Sequence, residues 1–204
     1  EDYDISVKKM SNTGSVSWTI SAVTNSADDI VKAIYPLPGS GCVIIYESQS
    51  FIEGSHIYAL AVDGSGKIQS GWPVLLSNLP GKQYYESSSL IVGGDGIFIS
   101  FRDNSSGNYD VYGQYVVFNG NLIFGSSGQD IASGSLNQQS SSVAYNQNRE
   151  KVFVCFESQT GAETAKGIIN EFLKGNFEGG RHERRVEKLE GSGRVENVDP
   201  ATEE

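Results

Sequence analysis

Asp4-Ile5-Ser6-Val7, followed by Gly14-Ser15-Val16 and Trp18, recurs as His56-Ile57-Tyr58-Ala59, Gly66-Lys67-Ile68 and Trp72. It returns as Asp110-Val111-Tyr112-Gly113, Gly120-Asn121-Leu122 and Phe124. Ile5 and Ile57 are 52 residues apart, Ile57 and Val111 are 54, and the Gly14, Gly66 and Gly120 series keeps the same offsets. A second series is interleaved with the first: Val43–Glu47, Phe98–Arg102 and Phe153–Glu157, in which Tyr46, Phe101 and Phe156 fall at intervals of 55. Each run is short, β-branched or aromatic and bounded by Gly, Asn or Ser, the pattern of a strand buried on both faces. Further strand candidates precede them at Ile30–Leu37, Ser87–Val92 and Ser140–Tyr145.

Working outward from this period, one four-stranded antiparallel unit runs from about Asp29 to Gly81 and the next from about Lys82 to Asn137. Asp63-Gly64 and Asn119-Gly120 lie where the third strand must turn into the fourth, and such pairs tolerate the positive φ of tight turns. The leading fragment supplies the last two strands of a unit and the trailing fragment the first two, so the termini are expected to complete a third. A four-stranded meander at this period is the blade of a β-propeller, in which each sheet buries its faces against its neighbours. The expected class is therefore all-β: three four-stranded antiparallel blades over residues 1–161, in an incomplete ring. Residues 162–204 form a charged tail, with Ile168, Ile169, Phe172 and Leu173 spaced for a short helix over 162–174. Two readings of the tail stay open: a segment foreign to the repeat, or a helix that caps the last exposed blade.

Composition supports an all-β reading, with 24 Gly and 19 Tyr and Phe against one Met. Net charge is −10; residues 1–160 carry 8 basic and 15 acidic groups, giving −7, and residues 161–204 carry 7 and 10, giving −3. An acidic surface without a basic stripe argues against nucleic acid as a partner. No apolar run is long enough for a membrane span. Cys42 and Cys155 sit in apolar runs and read as small buried hydrophobes without metal or redox spacing. The chain begins at Glu1, as a mature form, an excised segment or a partial reading frame would.

The repeat resembles those of large secreted or surface-anchored bacterial β-propeller proteins, of Bacteroidetes-like kind. The matching residues are Ser55-His56-Ile57-Tyr58-Ala59, Gly66-Lys67-Ile68 with Trp72, Phe101-Arg102-Asp103 with Gly107, and Asn108-Tyr109-Asp110-Val111-Tyr112. The resemblance implies export and an extracellular or cell-surface location. It marks an architecture and not an activity.

Catalytic signals are sparse. His56 aligns with Asp4 and Asp110 and reads as a polar turn residue, His182 lies in the tail, and no nucleotide-binding fingerprint or cofactor is implied. The loops after the second and fourth strands would share one face, gathering Glu47, Phe51, Tyr84, Tyr85, Arg102, Asp103 and Glu157 as candidate ligand-binding residues. Asp103 to Asp110 has oxygen-bearing side chains around a Gly but lacks the Asp-x-Asp-x-Asp-Gly core, so it reads as a hairpin turn before a calcium loop, and no metal site is assigned. The leading functional expectation is a non-enzymatic extracellular module that binds a glycan or protein, or acts as a spacer, in a larger propeller protein. The alternatives are a segment of a polysaccharide hydrolase or lyase, with Glu47 and Glu157 meeting across the ring, and a module that closes its ring with a second copy.

Overall fold

The structure, a computed structural model, describes residues 2–51, 54–90, 95–146 and 151–158. All of them fall in one compact unit, Glu1–Gln159. The expected tail and its helix over 162–174 lie outside the described residues. Twelve strands follow in order: β1 (Ile5–Met10), β2 (Val16–Val23), β3 (Asp28–Pro36), β4 (Cys42–Ser50), β5 (Gly54–Val62), β6 (Val74–Leu75), β7 (Gln83–Leu90), β8 (Gly96–Asp103), β9 (Asp110–Val117), β10 (Gln129–Ala132), β11 (Gln138–Asn146) and β12 (Lys151–Ser158). The described residues contain no helix, and every pairing is antiparallel.

The sheets are small and consecutive: a hairpin β1-β2, a meander β3-β4-β5-β6, a second meander β7-β8-β9-β10, and a hairpin β11-β12. The two meanders match the two complete units expected from the period. Among the described residues the terminal hairpins are separate two-stranded sheets and do not join into the expected third unit. Each is held by the meander next to it in sequence: Asp29 N–H donates to Tyr3 O at 2.8 Å, and Val143 N–H donates to Ser87 Oγ at 3.2 Å. Among the described residues no sheet closes into a barrel.

Burial explains which runs became central strands. Val43, Ile45, Ile57, Ala59, Leu60, Ile97, Ile99, Phe101 and Val111, all on β4, β5, β8 and β9, are fully buried. Each large apolar side chain so placed contributes about 1.5–3 kcal/mol relative to exposure. The trailing run behaves differently: β12 alternates exposed and half-buried positions, and Cys155 is exposed where a buried thiol was expected. Cys42 is half-buried, and burial pushes its thiol pKa up.

The turn between third and fourth strands is built by a side chain. Asp63 Oδ1 accepts from Ser65 Oγ (2.6 Å), Ser65 N (2.8 Å) and Lys67 N (3.0 Å), hydrogen bonds that hold its carboxyl below the ordinary range. The positive φ falls on Gly66 (+89°) and not on Gly64, and its counterparts Gly14 (+87°) and Gly120 (+91°) share it. Trp18 lies against this turn, its Nε1 donating to Gly64 O at 3.0 Å. A Cβ on Gly66 would come within 2.9 Å of the indole ring. One period later Trp72 faces Gly120, with 3.5 Å between its Nε1 and the place of a Cβ. Each tryptophan thus leans on the turn of the following repeat. After the turn only the bridges Val62↔Ile68 and Val116↔Leu122 continue the ladder, so the fourth strands are short and begin later than the sequence suggests.

Gly66→Ala is expected to cost about 1–3 kcal/mol from left-handed backbone strain, with displacement of the Trp18 ring added to it. Gly14→Ala, whose Cβ would meet nothing within 4 Å, carries the backbone part alone. Urea unfolding of both variants measures the difference, and equal losses would show that the tryptophan contact is not tight.

Candidate functional site

The site begins with an irregularity of the ladder. The register between β3 and β4 shifts between Val31 and Ala33, that between β7 and β8 between Tyr85 and Ser87, and that between β11 and β12 between Gln139 and Ser142. A bulge leaves one residue unpaired and re-aims its side chain. The residues concerned are Lys32, then Glu86, then Ser140 and Ser141, with Ser140 at φ +56°. Facing them on the second strands are Glu47, Arg102 and Glu157, spaced by 55 and 55.

In the first meander Lys32 Nζ lies 3.0 Å from Glu47 Oε2; in the second Arg102 Nε lies 3.2 Å from Glu86 Oε1. The same two positions carry the same kind of pair with the signs exchanged. The Arg102–Glu86 contact is an ion pair without hydrogen-bond alignment at Nε. Each second-strand charge also reaches the next sheet. Glu47, buried, accepts from Tyr85 N through Oε1 at 2.6 Å and from Gln49 Nε2 through Oε2 at 3.1 Å. Arg102 Nη1 donates to Gln139 Oε1 on β11 at 3.2 Å. Glu86 Oε2 accepts from Ser141 N at 3.1 Å, and Ser141 Oγ donates to Ser100 Oγ at 2.8 Å.

Two aromatic rings hold the guanidinium. Arg102 Cζ lies 5.1 Å from the Tyr84 ring centre and 4.9 Å from that of Tyr109, and the two rings meet edge to face at 5.9 Å. Such contacts keep an arginine flat and leave its edges to hydrogen-bond acceptors. Burial raises the Glu86 carboxyl above the ordinary range, against the opposing pull of Arg102 and the Ser141 amide. Burial also raises Tyr84, with Tyr109 adding to the shift, and raises Tyr85.

Of the seven residues singled out from sequence, Glu47, Tyr84 and Arg102 belong to this polar track. Tyr85 joins it through its backbone only, since its hydroxyl pairs with Ser88 Oγ at 2.8 Å. Asp103 follows Arg102 on β8 and therefore faces the other side of the sheet, buried, with Oδ1 accepting from Ser105 N at 2.7 Å. Phe51 is fully exposed on an open groove shared with Ser50, Gly54, Pro80, Gly81 and Lys82. Glu157 is exposed on β12, opposite Gln139. The expected meeting of Glu47 with Glu157 is absent, because Glu47 is enclosed by Lys32, Gln49 and the Tyr85 amide. The stretch from Asp103 to Asp110 is a hairpin turn with Gly107 at φ +98°. His56 is on β5, half-buried, and not in a turn.

Sequence reading missed Lys32, Glu86, Tyr109, Gln139 and Ser141. The available signal was charge at the period itself: Lys32 and Glu86 are 54 residues apart, as the strands that carry them are.

A family model of ribose/galactose isomerases matches residues 128–189. The match covers under a third of the chain. It overturns the resemblance to secreted bacterial propeller repeats, because the family found is one of sugar isomerases. The expectations of a secreted, extracellular binding or spacer module, of a polysaccharide hydrolase or lyase segment, and of a ring-closing assembly module are corrected with it. No curated protein and no solved structure matches the chain. The matched stretch includes β10, β11 and β12, and so includes Gln139 and Ser141, which hold Arg102 and Glu86.

Glu86 makes a prediction about pH. A carboxyl whose pKa is raised above 4.5 in the fold binds protons preferentially in the folded state. It favours folding at low pH, and that contribution is lost as pH rises through the folded value. Glu86→Gln should therefore flatten the decline in stability with rising pH relative to the parent chain, in urea titrations from about pH 4 to about 7. An unchanged slope would mean the carboxyl is solvated.

Proposed function

We propose that the chain binds an aldose or ketose of the ribose/galactose class, free or as a phosphate monoester, and interconverts the two forms. The observation that carries this reading is the isomerase family match over residues 128–189. The geometry supports it by giving part of that segment a chemically suitable neighbour. Gln139 and Ser141 on β11 abut a guanidinium, two tyrosine rings and a carboxyl with raised pKa. Aromatic faces pack on the C–H side of a sugar ring, arginine donates to phosphate oxygens in bidentate fashion, and carboxylate or carboxamide oxygens accept from hydroxyl donors. Aldose–ketose interconversion moves a proton between adjacent carbons, and a carboxyl poised nearer neutrality suits that task. Glu86 is the described group with this property. In architecture, the two four-stranded meanders at the 52–55-residue spacing are read as blades of a propeller, with β11-β12 beginning the next.

The test is a titration of the full chain with ribose, galactose and their phosphate monoesters, followed by NMR, with proton exchange at C2 of the sugar followed in D₂O. Saturable shifts should appear in residues 138–158, and Arg102→Ala should weaken the phosphate monoester on the order of tenfold. Deuterium should enter C2. If none of the four sugars gives a saturable shift or takes up deuterium, the reading is wrong.

A further inference from the structure

Outside the polar track, the start of each first strand repeats a different feature. Asp29, Gln83 and Gln138 lie 54 and 55 residues apart, and all three are buried. Each has a side-chain oxygen without a hydrogen-bond partner among the described residues: both carboxylate oxygens of Asp29, Oε1 of Gln83 and Oε1 of Gln138. In the ladder their cross-strand partners are Ser48, Asp103 and Ser158. Only in the second meander is the partner a carboxylate. There Asp103 is fully buried and its Oδ2 is also unpartnered, so two directly paired residues each present a bare acceptor.

The surroundings fix both acceptors. Gln83 Nε2 donates to Ser77 O and Leu79 O, each at 3.2 Å, which orients the amide and turns Oε1 away from that loop. Asp103 Oδ1 is taken by Ser105 N. Gly81 closes over the carboxylate so tightly that a Cβ there would lie 2.7 Å from Asp103 Oδ1 and 2.3 Å from Ser105 N. The third member of the row is Asp110, paired with Asp103 and also buried. Its oxygens accept from Ser106 Oγ (2.6 Å), Asn108 Nδ2 (3.1 Å) and Gly134 N (3.2 Å). Two carboxylates thus stand directly opposite one another, a pairing that destabilises a sheet when uncompensated. Neither has an ion-pair partner among the described residues; both described ion pairs belong to the polar track.

We propose that the row Gln83, Asp103 and Asp110 binds a divalent cation of the calcium type. Its donors are all oxygens, two of them from carboxylates, which selects a hard ion over zinc or copper. The cation would take the bare Oε1 and Oδ2, lie beside Asp110 and offset the opposed charges. With two carboxylates and one carboxamide, affinity falls in the weak range of about 10⁻⁴–10⁻³ M. This site is independent of any sugar binding.

The experiment uses the full chain, freed of metal with chelator and titrated with Ca²⁺ while melting is followed. Tb³⁺ luminescence excited through the tyrosines serves as a second readout. Calcium at about 10 mM should raise Tm by several degrees, and Tb³⁺ emission should saturate and be displaced by Ca²⁺. Asp103→Asn should abolish the calcium-dependent increment and weaken Tb³⁺ at least tenfold. Gln83→Glu, which adds a charge to the row, should tighten it. Failure of the parent chain to respond in either readout would overturn the site and leave the row to water. A calcium increment that survives Asp103→Asn unchanged would place the ion elsewhere and overturn it equally.

Discussion

The bulge in each first strand is the constraint on which the arrangement of sheets depends. A regular ladder would alternate Lys32 and Glu86 with their neighbours and carry them to a face fixed by parity. With the extra residue, each instead reaches the charge on the second strand of its own sheet, at 3.0 Å in one meander and 3.2 Å in the other. That second-strand charge is then free to bond forward, Glu47 to the Tyr85 amide and Arg102 to the Gln139 carboxamide. The sheets are therefore registered against one another by directional bonds as well as by apolar packing. A one-residue slip of β7 would take the Tyr85 amide from the buried Glu47 carboxylate, leaving it to Lys32 and Gln49, and would part Glu86 from Arg102. Apolar contact alone would resist such a slip far less sharply.

The joint has a second point of attachment at the other end of the strands. Trp18 and Trp72 lie on Gly66 and Gly120 of the following repeat; a Cβ would crowd the indole at Gly66, at 2.9 Å, and would only touch it at Gly120, at 3.5 Å. Between the polar track and the tryptophan contacts lies the fully buried span of Val43, Ile45, Ile57, Ile97 and Phe101. The two meanders are thus tied to each other at two places, and this restricts rotation about the packing axis in a way a single contact would not. Lateral pairing between sheets is unnecessary, which is consistent with four separate sheets in one compact unit.

The period was legible in the sequence because it is written in residues whose burial or backbone geometry leaves few alternatives: Gly14, Gly66 and Gly120 at positive φ, Tyr46 and Phe101 in the core. The bulges were not legible. Nothing in Val31-Lys32-Ala33 or Tyr85-Glu86-Ser87 marks the middle residue as unpaired, since a bulge is a property of two strands and the sequence presents one at a time. The polar track was half visible for the same reason. Glu47 and Arg102 were found from their positions on strong strands, whereas Glu86 and Gln139 acquire meaning only from what lies across the sheet. Cys155 illustrates the opposite error: an apolar run implies two covered faces only when a sheet lies on each, and β12 is exposed at alternate positions.

The repeat and the family match meet on the same residues, and this limits what a ligand at Arg102 must do. The period runs on through Glu157, inside the matched stretch 128–189, so β11 answers to two demands. Its Gln139 occupies the edge of Arg102 that an incoming group would need, and its Ser141 amide occupies Glu86. A neutral sugar hydroxyl offers the guanidinium no more than the carboxamide already does. An anionic oxygen offers a charge-assisted bond, roughly twice as strong as a neutral one, and can displace Gln139 with a net gain. Glu86 opposes it, since a second anion beside its carboxyl favours the protonated form, and burial has already moved the group in that direction. On the proposed reading, binding of a phosphorylated sugar and proton uptake by Glu86 would be coupled in sign, the anion entering more readily as the carboxyl is neutralised.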